Sequence, residues 1–105
     1  MFQFIQITTT SDQKETLEKI AAQLLAEKMA ACIQIMGPIE SHYHWDGQLQ
    51  TTKEWICHIK THKSKFDLVE QSIQQMHHYD EPEVVALPIV QGSQGYLQWL
   101  ATETT

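Results

Sequence analysis

The six histidines of this 105-residue chain fall in three close pairs: His42 with His44, His58 with His62, and His77 beside His78. Neutral imidazole ligates zinc and copper, and imidazole set among carboxylates suits either metal. His77 and His78 run directly into Tyr79, Asp80, Glu81 and Glu83, so they have carboxylates within reach. A helix end also favours His, because a positive ring complements the terminal carbonyls. Ligation and capping account for this corner equally well. Adjacent rings at a helix end are expected to diverge. One metal would then take one ring, with Glu81, Glu83 or a neighbouring subunit supplying the rest. His42 and His44 lie two apart on an expected strand and share a face about 7 Å apart. With no third ligand in the pattern, a solvated pair on an exposed hairpin is the plainer reading. His58 and His62 are about 13 Å apart along a strand and cannot chelate together.

Other chemistry is thinly represented. There is no P-loop, no Rossmann glycine run and no serine-nucleophile elbow. No coherent catalytic constellation remains, and the expectation is a protein that is not an enzyme. Gly92-Ser93-Gln94-Gly95 ahead of a helix offers amides to an anion, although capping by Ser93 is the simpler explanation. Cys32 and Cys57 read as small hydrophobes within strands and are too few for a disulfide scaffold. Counting back from the turn described next sets Cys57 opposite Met36 and Cys32 opposite Thr61, too distant to bridge.

Elements that would position these residues follow from periodicity. Residues 2–8 alternate as a strand, and Thr8-Thr9-Thr10 leads out of it. Asp12 with Glu15 has capping-box spacing, and Leu17, Ile20, Ala21, Leu24 and Leu25 mark a helix ending near Lys28-Met29. A strand from Cys32 is interrupted at Gly37-Pro38, where a bulge and a nearby sheet edge are expected. It continues through Ser41-His42-Tyr43-His44-Trp45 to Asp46-Gly47, a two-residue hairpin signal. The return strand carries Trp55, Ile56, Cys57, His58 and Ile59. Ser64 with Asp67 opens a second helix that turns Phe66, Val69, Ile73 and Met76 inward and ends near His77. Pro82 precedes a strand over Val84–Leu87, and Gly92-Ser93 starts a last helix with Tyr96, Leu97, Trp99 and Leu100.

The order β-α-β-β-α-β plus a C-terminal helix predicts an α+β, ferredoxin-like split βαβ fold with two helices on one sheet face. One such domain fills residues 1–105. Strands two and three are apolar on both faces, which two helices cannot cover, so a partner subunit is expected.

Seven lysines, no arginine and thirteen acidic residues give a net charge of −6. That balance excludes a nucleic-acid role and attraction to an anionic membrane surface. The opening Met1-Phe2-Gln3-Phe4 has no basic region or long apolar run, so the expectation is a cytoplasmic protein without a leader or a membrane helix.

Five stretches together make this chain resemble the CutA family of divalent-cation tolerance proteins. They are Leu25–Cys32, Ser41–Gly47, Glu54 with Lys60-Thr61, His77–Glu83 with Leu87-Pro88, and Gly92 with Tyr96–Leu100, in family order over nearly the whole chain. The resemblance implies a ferredoxin-like protomer, a homotrimer similar to PII signalling proteins, and an association with copper and other divalent ions, with no obligatory cofactor. It implies no reaction. Carried onto this chain, it marks Tyr43, Trp45, Glu54, Lys60, Tyr79 and Trp99 as candidates for a cleft between subunits, and His77, His78 and Glu83 as the candidate metal set. Trp45 and Trp99 also read as core or interface anchors, and Glu54 with Lys60 as a structural ion pair. A small anionic ligand in that cleft, as in PII-like sensors, is the alternative function. Two departures stand out. His78 occupies a position where the family usually has proline, and Thr8-Thr9-Thr10 stands where some copper-linked members carry cysteine, so no thiolate site is expected there.

Overall fold

The computed structural model describes residues 2–105. Strand β1 (Phe4–Ser11) leads to helix α1 (Lys14–Ala26), and the long strands β2 (Cys32–Trp45) and β3 (Gln48–His62) form a hairpin. A short 3₁₀ turn, Lys63–Lys65, precedes helix α2 (Phe66–Met76), strand β4 (Val85–Ile89) and helix α3 (Gln94–Glu103). The sheet order is β2-β3-β1-β4, antiparallel throughout. This is the α+β arrangement that the sequence predicts.

The core lies between the sheet and helices α1 and α2. Ile7, Leu17, Ile20, Leu24, Cys57, Ile59, Val69 and Ile73 are fully buried in one cluster. Burial pushes the Cys57 thiol up to about 12, so it packs as a hydrophobe. Helix α3 lies against β3, and Lys60 Nζ sits 5.7 Å over the Tyr96 ring. Phe4 and Leu100 are buried outside the main cluster.

Local chemistry explains the boundaries. Threonines 8–10 extend β1 instead of leaving it, because β-branched side chains fit a pleated surface and all three are buried. Asp12 does not cap α1; Gln13 is the N-cap residue, and its N–H bonds to Ser11 Oγ at 3.0 Å. The C-terminus of α1 closes with Met29 N–H on the Leu24 carbonyl and Lys28 in the left-handed region at φ 56. Ser93 accepts from Tyr96 N–H and caps α3, as its position predicts. Pro38 and Pro88 both lie on edge strands, where the missing N–H is tolerated.

Asp46 and Gly47 take φ values of 55 and 74, the two-residue turn that the sequence signals. This turn fixes Trp45 opposite Gln48 and Ile39 opposite Glu54. Between Ile39 and Met36 the register shifts, and Met36 faces Ile56. The bulge at Gly37-Pro38 therefore corrects the count back from the turn. Cys57 pairs with Ile35 and Cys32 with Lys60, and the two free thiols sit on opposite faces of the sheet. A Cβ on Gly37 would stand 2.7 Å from Trp55 Cδ1, so only glycine lets that ring lie over the bulge. The shift also reverses the alternation, so that Ser41, Tyr43 and Trp45 share a face with Glu54.

Candidate functional site

Helix α2 ends at His77, whose own N–H still bonds to the Ile73 carbonyl at 2.9 Å. The chain then turns across the end of β1. His77 Nε2–H donates to the Thr10 carbonyl at 2.7 Å, and Tyr79 N–H donates to His77 Nδ1 at 3.1 Å. Both ring nitrogens are thus taken, and the pattern requires the neutral Nε2–H tautomer. Burial lowers the His77 pKa, the neighbouring His78 adds to the effect, and the Thr10 carbonyl opposes it. In this conformation His77 builds the corner and has no nitrogen free to ligate.

His78 differs. Its Nε2 stands 2.7 Å from Asp12 Oδ1, and both side chains remain partly exposed. The two rings do not diverge as expected: they stack with centroids 5.1 Å apart. Tyr79 crosses both and ties the corner to the hairpin. Its hydroxyl accepts from Asp12 N–H at 2.9 Å and donates to Glu54 Oε2 at 2.7 Å. Burial and the Glu54 carboxylate push the Tyr79 phenol well above its ordinary range.

Beyond Tyr79 opens a cleft of about 510 Å³, with Tyr43, Trp45 and Glu54 on the sheet side and Asp80, Glu81 and Glu83 on the turn. Burial raises the Glu83 pKa, and the charge on Glu54 raises it further. Of the six cleft candidates, Tyr43, Trp45, Glu54 and Tyr79 are brought together here. Lys60 and Trp99 lie elsewhere. Lys60 bonds Gln34 Oε1 at 3.2 Å, and the Trp99 ring packs 5.6 Å from Tyr96 on α3. Within one chain Glu54 and Lys60 do not pair, since six strand residues separate the two by about 20 Å.

Three of the four remaining histidines have local partners. His58 Nδ1 meets Thr8 Oγ1 at 3.1 Å, and His62 accepts from Ser64 N–H at 3.1 Å. On the exposed arm, His42 lies between Glu40 Oε1 at 2.9 Å and Thr51 Oγ1 at 3.1 Å. Among the described residues, no three His, Cys, Asp or Glu side chains stand close enough to hold a metal ion. The contributions of Thr10 and Asp12 were not visible in the sequence. They lie more than sixty positions from the histidines they meet, and Asp12 carried a capping signal instead.

Comparison with known proteins agrees with this architecture. Residues 5–103 match the family described as "CutA1 divalent ion tolerance protein". The chloroplastic protein CutA 1 of rice, Oryza sativa subsp. japonica, is 41% identical over 100 residues. That alignment takes in 95% of this chain but only 56% of the rice protein, so the chain spans about half of that relative's length. The crystal structure of CutA1 from Oryza sativa superposes with a TM-score of 0.94 at 39% identity, covering 99% of this chain and 95% of that one. A structure described as the periplasmic divalent cation tolerance protein CutA from Archaeoglobus fulgidus gives a TM-score of 0.93 at 33% identity, covering 97% and 99%. Among the described residues, no helix is long and apolar enough to cross a membrane. By sequence along nearly its full length and by fold, this chain belongs to the CutA1 family of divalent ion tolerance proteins.

Proposed function

We propose that this protein binds copper and other divalent ions, working as a homotrimer, with His78 and Asp12 as the first two ligands. The observation that carries this reading is the imidazole–carboxylate pair itself, 2.7 Å apart and partly open to solvent. Two ligands at right angles on one zinc or copper ion stand roughly 3 Å apart, so a metal can replace the shared proton with little movement. A third ligand has to come from water, from the nearby Glu81 or Glu83, or from a second copy. Within the expected set of His77, His78 and Glu83, His78 holds the reachable nitrogen. The carboxylates of the adjoining cleft favour a cation, and no lysine lines that cleft to favour the PII-like anion.

The test is Cu(II) titration of metal-free protein by calorimetry. His78→Ala is expected to weaken binding about tenfold or more, and the pair His42→Ala with His44→Ala to leave it nearly unchanged. Affinity is expected to fall as pH is lowered, because a proton on the imidazole competes with the metal. The opposite ranking of the variants would move the site to the arm.

The trimer rests on exposed apolar side chains at positions that a lone chain has no reason to leave open. Val90 is 76% exposed, Leu49 72% and Leu87 61%. Sedimentation equilibrium is expected to give three times the chain mass, and a stable monomer would remove this part of the reading. We place the protein in the cytoplasm on its two unbridged cysteines; the chloroplastic and periplasmic descriptions belong to relatives. The role is binding, and a hydrolase screen is expected to show no turnover that depends on Glu54 or His77.

A further inference from the structure

We infer that the cleft between the arm and the 79–83 turn is a binding site for a small organic polycation, an aliphatic polyamine carrying primary ammonium groups. Its size is the first argument. At about 510 Å³ it lies within the range of small-molecule pockets and is far larger than a bare metal ion requires.

The lining is the second argument. Tyr43, Trp45 and Tyr79 present aromatic surface, and Glu54, Glu81 and Glu83 present carboxylates. Aromatic faces attract cations through the ring quadrupole, most strongly for Trp. Carboxylates accept the N–H donors of an ammonium group. A hydrated divalent ion has no use for the aromatic walls, and an anion would be repelled by the carboxylates. A spaced series of ammonium groups on methylene linkers matches both kinds of surface.

Glu54 supplies an independent observation. It is only 5% exposed, yet it lines the cleft. Its Oε2 accepts from Tyr79, while Oε1 has no hydrogen-bond partner among the described residues. That oxygen stays open to the cleft, where a ligand N–H donor can reach it. Glu54, Glu81 and Glu83 line one cleft together, and carboxylates crowded on one site repel one another. An ammonium group would relieve that repulsion. This site does not include His78 or Asp12, although it shares Glu81 and Glu83 with the candidates for a third metal ligand, and its failure would leave the metal reading standing.

The experiment is calorimetric titration of spermidine into the intact protein, at low and at physiological salt, with 1,8-octanediol as an uncharged chain of comparable length. Spermidine is expected to bind and the diol to give no heat. Trp45→Ala is expected to weaken spermidine binding about five- to tenfold while leaving the Cu(II) isotherm unchanged. Glu81→Gln with Glu83→Gln is expected to weaken it further. Three outcomes would overturn the proposal. One is no spermidine heat, as when a second copy fills the cleft. Another is equal affinity in Trp45→Ala. The last is displacement of spermidine by an equal concentration of magnesium, which would reduce the site to nonspecific charge.

Discussion

The helix-covered face of the sheet and the β2–β3 arm use the same kinds of side chain to opposite ends. Beneath α1 and α2, Ile7, Leu17, Ile59 and Ile73 are fully buried, and each apolar group has neighbours within its own chain. On the arm, Trp45 and Leu49 stand open, and the hairpin carries the molecule to 44 Å in its longest dimension against 25 and 22 Å in the others. Both regions read as apolar in sequence, yet only one has completed its packing. The body is stable through its own contacts. The arm holds its shape through ladder hydrogen bonds and a well-chosen turn, and presents its side chains to something else.

The largest effect should come from putting one truncation in each region. Leu17→Ala is expected to lower stability by about 2–5 kcal/mol at any protein concentration, measured by denaturant unfolding. Leu49→Ala should leave concentrated samples nearly unchanged and act by making Tm depend more steeply on concentration. If both variants lose equal stability independent of concentration, the arm is as self-sufficient as the body and the contrast fails.

An intermediate effect concerns the corner joining the regions. His77 is held neutral in the fold, with its pKa below the ordinary value of 6.5, whereas the unfolded chain takes up a proton near that pH. The unfolded state binds more protons below about pH 6.5, so stability is complete above that pH and is lost as pH falls toward the folded-state value. The slope from this one group can reach about 1.4 kcal/mol per pH unit. His77→Gln should flatten that slope in melting curves between pH 7 and 5, and an unchanged slope would break this account of the corner.

The smallest effect belongs to the cleft. Glu83 has a raised pKa, so its ionisation opposes folding as pH rises through the carboxylate range. Glu83→Gln is expected to raise Tm slightly at pH 7 and not at pH 4, a difference damped by solvent because the side chain is partly exposed. A drop in Tm at pH 7 would mean that the carboxylate contributes a contact worth more than the repulsion it suffers.

Much of the body was legible because periodicity reports burial on one face. Leu17, Ile20 and Leu24 marked α1, Val69 and Ile73 marked α2, and Asp46-Gly47 marked the turn. The register beyond the turn was not legible. Pro38 flags an irregularity, but how many residues the bulge absorbs depends on how Trp55 packs over Gly37. Asp12 shows the other kind of failure, in which a local signal loses to a distant partner. Its spacing to Glu15 fits a cap, yet its carboxylate goes to His78 and its N–H to Tyr79. The cleft was reached through family resemblance, since no local pattern joins Glu54 to Tyr79 across the fold.

The bulge at Gly37-Pro38 also divides the hairpin into two reading frames, one set by the turn and one by the body. Removing Gly37 would close the ladder with Pro38 opposite Trp55, leaving Met36–Ile56 and Ile39–Glu54 as they are. The same deletion between Ile39 and Trp45 would slide every residue between it and the bulge one place along β3 and move Ile39 off Glu54 to the other face. Length can therefore drift at this one splice during divergence without disturbing the cleft, while the arm beyond it must keep its residue count. Insertions and deletions among kindred chains should concentrate at the splice and spare residues 39–45.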